Sequence, residues 1–169
     1  MPDLMQGTAF TLTLLRLVWQ LTAKENLPCP LCSGEMRTRS TCRRKYITST
    51  GEIGHLQLRV RQCRTCRKTH RELPGCLAPY KRYNVEAIVE IYNHPQTVSC
   101  TDLTIRMIRL WLEWFLAYAE HIRESQQQIL AMPLPKWSGE ICASEIQRFV
   151  RLVANTGNWA HNRSGLPFT

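Results

Sequence analysis

The sequence contains very little aspartate and none of the common signatures of a catalytic site. Only Asp3 and Asp102 are aspartates among 13 acidic residues in 169. Hydrolysis assisted by metal ions needs several acidic ligands brought together, and the glutamates of this chain fit helix surfaces better. No G-x-S-x-G, H-E-x-x-H, phosphate-binding loop or dinucleotide-binding glycine pattern occurs. We therefore expect a protein that is not an enzyme and has no small-molecule substrate.

We expect no export signal in this chain, and no long uninterrupted apolar run occurs in it. Residues 8–23 are apolar, but no Lys or Arg precedes them and Arg16 interrupts them. The run is short for a membrane span, so a membrane anchor is the less favoured alternative. Its apolar positions have the spacing of an amphipathic helix and are Leu14, Leu15, Val18, Trp19 and Leu21. We expect a cytoplasmic protein, without membrane contact, whose N-terminal helix docks on the rest of the chain.

The most informative motif is a pair of C-x-x-C sequences, at residues 29–32 and 63–66, separated by thirty residues. A C-x-x-C turn directs two thiolates toward one point about 2.3 Å from a metal, and a second turn completes a tetrahedron. Zinc suits such a site because it accepts sulfur and needs no redox partner. We expect one structural Zn²⁺ in a closed, non-catalytic site. Its predicted ligands are Cys29, Cys32, Cys63 and Cys66.

Other uses of the cysteines have less support in the sequence. Disulfides need an oxidising compartment and an export signal, and a thioredoxin-like redox motif needs a βαβ pattern that is absent here. We expect the remaining cysteines, at 42, 76, 100 and 142, to be reduced and mostly buried. Cys42, His55 and His70 are alternative ligands, but none is needed because structural zinc sites close at four.

The segment between the two motifs has the pattern of a β-hairpin. Residues 36–48 are β-prone and basic, and residues 49–54 contain two glycines that mark a turn. Residues 55–62 alternate, with Leu56, Leu58 and Val60 on one face. This pattern predicts a zinc ribbon, in which the metal substitutes for a core too small to be stable alone. A third short strand is expected from Thr69 to Leu73.

Positive charge is concentrated in the same hairpin. The chain carries a formal net charge of +9, and residues 36–71 alone carry +10, with Glu52 as their one acid. Solubility alone would mix the signs, whereas clustered cations are typical of proteins that bind nucleic acid. A solvated charged surface is the alternative. Period-2 alternation predicts that one strand face carries Arg37, Arg39, Arg43 and Lys45, and that a face of the partner strand carries Arg59 and Arg61.

Residues 80–130 are predicted to be mainly helical. Asn84 is the expected N-cap of a helix that ends at Asn93-His94-Pro95. A long helix follows from Leu103 to about Leu130, capped by Ser99 or Thr101. The two helices form a candidate helix-turn-helix, with packing as a plain scaffold as the alternative. Residues 131–140 read as a linker, residues 142–154 as a last helix, and residues 155–169 as a polar tail.

The stretch from Cys29 to Trp114 resembles a family of short, uncharacterised bacterial proteins found in Firmicutes. The resemblance lies in CPLC, RRKYI, LRVRQCRTC and, most specifically, HRELPGCLAPYKRY. The family carries a four-cysteine zinc ribbon similar to the N-terminal modules of insertion-element transposases. The resemblance implies zinc binding by the four cysteines and an association with DNA or mobile elements, without an established activity.

Together these observations predict an α+β fold in which a small zinc-ribbon β-hairpin domain precedes an α-helical region. The expected divisions are residues 1–26 (N-terminal amphipathic helix), 27–79 (zinc ribbon), 80–130 (helical region) and 131–169 (linker, C-terminal helix and tail).

We expect a zinc-dependent DNA-binding protein, an accessory or relic of a transposition system, with RNA as the less favoured nucleic acid. The alternative is a zinc-stapled interaction module that forms homo-oligomers through the aromatic residues of the long helix, Trp111, Trp114 and Phe115. The predicted nucleic-acid contacts are Arg37, Arg39, Arg43, Arg44, Lys45, Arg59, Arg61, Arg64, Arg67, Lys68, Lys81, Arg82, Arg106 and Arg109.

Overall fold

The described residues form six strands and three helices. The computed structural model describes the backbone of residues 3–5, 10–15, 18–23, 26–130 and 141–156, with side chains for 26–129 and 141–156. The strands are β1 (Asp3–Met5), β2 (Phe10–Leu15), β3 (Val18–Ala23), β4 (Met36–Ile47), β5 (Ile53–Cys63) and β6 (Thr69–Glu72). The helices are α1 (Val85–Asn93), α2 (Asp102–Leu130) and α3 (Ala143–Asn155). The fold is therefore α+β, as the sequence predicts.

The sheet is built around β5. This strand pairs antiparallel with β4 along its length, from Met36 opposite Cys63 to Ile47 opposite Ile53. On its other side it pairs antiparallel with β6 and parallel with β3. The remaining strands extend the sheet, with β1 beside β6 and β2 beside β3. The predicted hairpin and the short third strand are both confirmed.

The N-terminal helix predicted over residues 8–23 is wrong. Residues 10–15 and 18–23 are instead the antiparallel strands β2 and β3, and Trp19 lies opposite Leu56 of β5. The segment FTLTLL also alternates apolar residues with threonine, a β-branched residue that favours strands. Strand β3 forms because the backbone of β5 offers it hydrogen-bond partners. The spacing of apolar residues in residues 8–23 could not predict this distant pairing.

A β-bulge at Arg39 interrupts the pairing of β4 with β5. Because the extra residue shifts the alternation by one position, Arg37 and Arg43 lie on opposite faces of the sheet. The prediction that these two residues share one face with Arg39 and Lys45 is therefore wrong. Since β4 lies at an edge of the sheet, its cations border both faces.

The two halves of the hairpin bury opposite faces. Near the turn, Leu56 and Leu58 are buried in a small cluster with Leu73 and Leu77. Toward the cysteines, the buried residues of β5 are Arg61 and Cys63. These two side chains lie on the face of the strand opposite to the leucines. The hairpin therefore belongs to two separate small cores.

The helices form the main core through their apolar stripes. The side chain of Asn84 accepts a hydrogen bond from the Ala87 N–H at 2.8 Å, which confirms the predicted cap of α1. The Thr101 hydroxyl accepts from the Thr104 N–H at the start of α2. The predicted stripe of α3 is buried and comprises Ile146, Phe149, Val150 and Val153.

No helix within the described ranges is long and apolar enough to cross a bilayer. The predicted linker at 131–140 lies outside the described residues, as does the tail from residue 157 onward. An eight-residue connection separates α1 from α2, and the structure does not confirm the helix-turn-helix.

Candidate metal centre and basic surface

The two C-x-x-C motifs fold into equivalent turns. In the first, the Cys29 N–H donates to the Gly34 carbonyl at 2.9 Å, and in the second the Cys63 N–H donates to the Lys68 carbonyl at 2.9 Å. The residue after the second cysteine is left-handed in both turns, with φ of 57° at Ser33 and 62° at Arg67. These repeated local contacts curl each backbone around its two thiols.

The hairpin brings the two turns together, so that the four thiol sulfurs lie within 4.8 Å of one another. The Sγ atoms of Cys29 and Cys66 are 3.6 Å apart, and those of Cys32 and Cys63 are 3.5 Å apart. Sulfurs at the corners of a tetrahedron around zinc are about 3.8 Å apart, given a bond of about 2.3 Å. The four cysteines predicted as ligands are therefore placed so that they could hold one metal ion.

The backbone of the second turn stabilises a thiolate. Burial opposes ionisation of Cys63. Hydrogen bonds from the N–H groups of Cys66 and Thr65, together with those from the thiols of Cys32 and Cys66, outweigh burial and lower the pKa of Cys63 to about 6. Burial raises the pKa of the Cys29 thiol to about 12. A cation shared by these sulfurs would favour the thiolate form at every position, because a coordinating thiol is deprotonated.

Gly34 allows the two turns to approach closely. A Cβ atom at this position would lie 2.5 Å from Thr65 Oγ1 and 3.0 Å from Cys63 Sγ. Any larger residue would push the second turn away from the first. The packing of the turns thus supports a common site for the four sulfurs.

His70, one of three alternative ligands that the sequence offers, lies next to the four cysteines. It is fully buried on β6, and its Nε2 lies 3.4 Å from Cys29 Sγ. A ring N–H at this position can donate to a metal-bound thiolate and orient it, as outer residues of metal sites commonly do. The other alternative ligands, Cys42 and His55, are not part of the cluster of four cysteines.

Two arginines predicted to contact nucleic acid lie in an internal ion-pair network. Arg59 donates twice to Glu72, with both distances 2.7 Å. Arg61 donates to Glu72 at 3.3 Å, to the Met36 carbonyl at 2.7 Å and to the Asn26 side chain at 2.9 Å. Only 7% of the Arg61 side chain is exposed. Because both arginines pair with the buried Glu72, they do not belong to the predicted nucleic-acid contact surface.

Arg44 is a third predicted contact residue with an internal role. Its Nη2 donates to the Ala78 carbonyl at 2.7 Å and to the Lys81 carbonyl at 2.8 Å. Burial, followed by repulsion from Arg71, lowers the pKa of its guanidinium. Arg44 therefore holds the segment before α1 against the hairpin.

Most of the predicted contacts are on the surface. The exposed ones are Arg37, Arg39, Arg43, Lys45, Arg64, Arg67, Lys68, Arg82, Arg106 and Arg109. Lys81 is half-buried, with its ammonium 4.2 Å from the Trp111 ring centroid, and Arg109 lies over Tyr92. The Arg64–Glu35 pair is 3.5 Å long and exposed on both sides, so it neutralises little.

Residues 29–111 match the model of a family described as Domain of unknown function (DUF6431). The match begins at the first cysteine of the metal centre and includes both turns, the hairpin and α1. It falls within the range in which the sequence resembles an uncharacterised family. No curated protein and no solved structure matches the chain. The candidate metal centre and the basic hairpin therefore lie in a segment that is similar to a family whose description states no function.

Proposed function

We propose that this chain is a non-enzymatic DNA-binding protein whose basic hairpin is held in register by one structural Zn²⁺. The carrying observation is the exposed charge of the hairpin. Of the eleven cations between residues 36 and 71, three are used internally and eight are exposed. Because Glu52 is the one acid of this span, its exposed side chains carry a net charge of +7. Such a surface suits a phosphate backbone.

Zinc is the proposed metal because the donor set consists of four sulfurs within 4.8 Å of one another, and zinc accepts four sulfurs in a tetrahedron. The proposed ligands are Cys29, Cys32, Cys63 and Cys66. Four sulfurs complete the coordination of zinc, so the role proposed for the metal is structural. One zinc per chain, measured by elemental analysis of the purified protein, is the expected stoichiometry.

A simpler structural role for the same cations is the alternative, and the experiment must distinguish it from DNA binding. Charged side chains along an edge strand prevent it from pairing with another sheet, and β4 is such a strand. This use needs only dispersed charge and predicts no specific affinity for polyanions. The resemblance to insertion-element modules favours DNA as the partner and an association with a transposition system.

The direct test is DNA affinity as a function of salt. Fluorescence anisotropy with a labelled duplex should give a linear fall of log K with log salt concentration, with a slope of about −0.9 for each phosphate contacted. A flat dependence or no binding would overturn the proposal. The same titration with double-stranded RNA asks whether the surface prefers DNA.

Two variants locate the contact surface. Replacing Arg37, Arg39, Arg43 and Lys45 with Gln should weaken binding and flatten the salt slope, since all four are exposed on β4. Replacing Arg106 and Arg109 with Gln removes charge from α2 and tests the helix-turn-helix prediction. If only the α2 variant loses affinity, the helices and not the hairpin bind DNA. Zinc content and circular dichroism confirm that each variant is folded.

A specific observation also favours self-association as a second candidate function. The residues predicted as interface anchors belong to the helical core, since Phe115 is buried and Trp111 and Trp114 pack against it. The exposed apolar stripe of α2 lies elsewhere and comprises Leu103, Met107 and Leu110, spaced for one helix face. Sedimentation at two concentrations tests the candidate, and replacement of Met107 and Leu110 with Gln should return any dimer to monomer.

A further inference from the structure

A pocket of about 300 Å³ opens between edge strand β4 and the segment that precedes α1. Its apolar lining includes Leu58 and Leu73, which are buried, and the ring of Tyr80, which is 46% exposed. Six cations line it, and none of the lining residues is acidic. They are Arg43, Arg44, Lys45, Arg71, Lys81 and Arg82.

The pocket wall is fixed by contacts that run between the segment and the strand. Arg44 holds the Ala78 and Lys81 carbonyls, and the Ile47 N–H donates to the Arg82 carbonyl at 2.8 Å. Tyr80 lies between these anchors in a left-handed conformation, with φ of 59°. A non-glycine residue rarely adopts this conformation unless its surroundings impose it. The pocket is therefore preorganised by the fold.

Two cations of the pocket have no acidic partner among the side chains that the structure describes. Arg71 and Arg82 are exposed and form no ion pair with any of these side chains. The register of β6 places Arg71 opposite Val60, on the same face as Leu58. Arg43 and Lys45 belong to the other face and border the pocket from the strand edge. An exposed aromatic ring beside a cationic rim suits a ligand that has one flat part and one anionic part.

We propose that this pocket binds a single nucleotide unit, with its phosphate on Arg71 and Arg82 and its base over the ring of Tyr80. Arginine pairs with phosphate through two parallel hydrogen bonds, and bases stack on aromatic rings. The volume lies at the small end of ligand pockets, which span about 300–1,000 Å³, so one nucleotide fills it. The unit can belong to a free nucleotide or to an unpaired position of a DNA strand.

The strand form of this inference rests on the proposed DNA-binding function, whereas the free-nucleotide form does not. The first experiment therefore uses small probes. Isothermal titration is carried out on the zinc-loaded protein with deoxyadenosine monophosphate, deoxyadenosine, inorganic phosphate and succinate. The monophosphate should bind more tightly than any of the other three, because only it offers both parts. Equal binding of succinate, or no binding of the monophosphate, would overturn the proposal.

A matched pair of variants assigns the site. Arg71→Gln with Arg82→Gln should weaken the monophosphate by about ten-fold or more, as expected for lost hydrogen bonds to a charged group. Arg148→Gln with Arg151→Gln removes two charges from α3, away from the pocket, and should leave the affinity unchanged. An equal loss in both variants would mean a general charge effect and would overturn the proposal. Tyr80→Leu tests stacking and should weaken the monophosphate but not phosphate.

A second titration identifies the source of the nucleotide and separates the two proposals. If a short single strand binds more tightly than the monophosphate and loses affinity in the Arg71/Arg82 variant, the pocket seats a strand position. If the monophosphate binds but neither single-stranded nor duplex DNA does, the pocket is a free-nucleotide site and the proposed DNA function fails. If duplex DNA binds with a steep salt slope but the monophosphate does not, the pocket proposal fails alone.

Discussion

Arg67 occupies a left-handed backbone conformation that glycine would adopt without a side-chain clash. The equivalent position of the first turn, Ser33, shares this conformation. We predict that Arg67→Gly raises the free energy of unfolding of the metal-bound protein by about 1 kcal/mol relative to Arg67→Ala. Both variants lose the same charge, so their difference isolates the backbone. Urea unfolding measures it, and equal stabilities would contradict the assigned strain.

His70 offers a second test at the scale of single residues. Its Nε2 lies 3.4 Å from Cys29 Sγ, and loss of an outer contact of this kind typically lowers metal affinity by about 10–100-fold. We predict a loss in this range for His70→Ala, measured by competition with a chromogenic zinc chelator. His55→Ala is the matched control because His55 is exposed and lies outside the cluster. Equal zinc retention by the two variants would show that His70 serves packing only.

At the scale of elements, the link between β5 and β6 depends on Glu72. This carboxylate is 1% exposed and pairs with both Arg59 and Arg61. We predict that Glu72→Ala destabilises the protein by roughly 3–5 kcal/mol, because it leaves a buried guanidinium without its partner. Glu35→Ala breaks the exposed pair with Arg64 and should cost less than about 1 kcal/mol.

Chemical unfolding compares the two glutamate variants. If Glu72→Ala does not fold, Glu72→Gln retains the shape of the side chain and should give an intermediate stability. A cost for Glu72→Gln no larger than that of Glu35→Ala would contradict the importance of the buried pair.

The elements that the sequence predicts correctly have strong local patterns. Helices α1 and α3 have caps or stripes at 3.6-residue spacing, and the strand at 55–62 alternates cleanly. Strands β2 and β3 were not predictable in this way, because their apolar residues also fit a helix and their pairing with β5 is not local. The bulge at Arg39 has no glycine or proline signal, so strict alternation gave the wrong face.

The candidate site shows the same division between local and long-range information. That the four cysteines come together as candidate metal ligands was predictable, because each C-x-x-C motif is a local turn with known metal geometry. The roles of Arg44 and Arg61 were not, since their partners Ala78 and Glu72 are distant in sequence. An arginine that contacts phosphate and one that holds a loop look alike until the fold supplies the partner.

At the scale of the whole molecule, the candidate metal site and the helices belong to different cores. The core around Cys29, Met36 and Cys63 shares no residue with the helical core. We predict that chelation removes amide hydrogen-exchange protection at the metal end of β4 and β5 but preserves it in α2. Reconstitution with zinc should restore the lost protection. Uniform loss across the chain would show instead that the ribbon and the helices unfold as one unit.

Zinc retention should also depend on pH in a defined direction. Because protons compete with metal for thiolates, retention falls as the pH falls. The pKa of Cys63 is lowered from 9.0 to about 6, so this thiol needs no deprotonation to bind metal above pH 6. Below pH 6 a proton on the Cys63 thiol also competes with the metal. We therefore predict that zinc retention falls more steeply with pH below pH 6. Chelator competition across a pH series measures this slope, and an unchanged slope through pH 6 would contradict the thiolate at Cys63.

The bulge at Arg39 makes the hairpin tolerant of one change in chain length. The ladder pairs Thr38 with Arg61 and Ser40 with Val60, so Arg39 has no partner on β5. Deleting Arg39 would join the two halves of the ladder and leave every other β4 residue opposite its present partner and on its present face. Both ends of the hairpin would then keep their buried side chains inside. Insertions fit the turn between Thr48 and Glu52, which lies beyond both small cores. The spacing between the cysteine pairs can thus lengthen at the turn and shorten by one residue at the bulge.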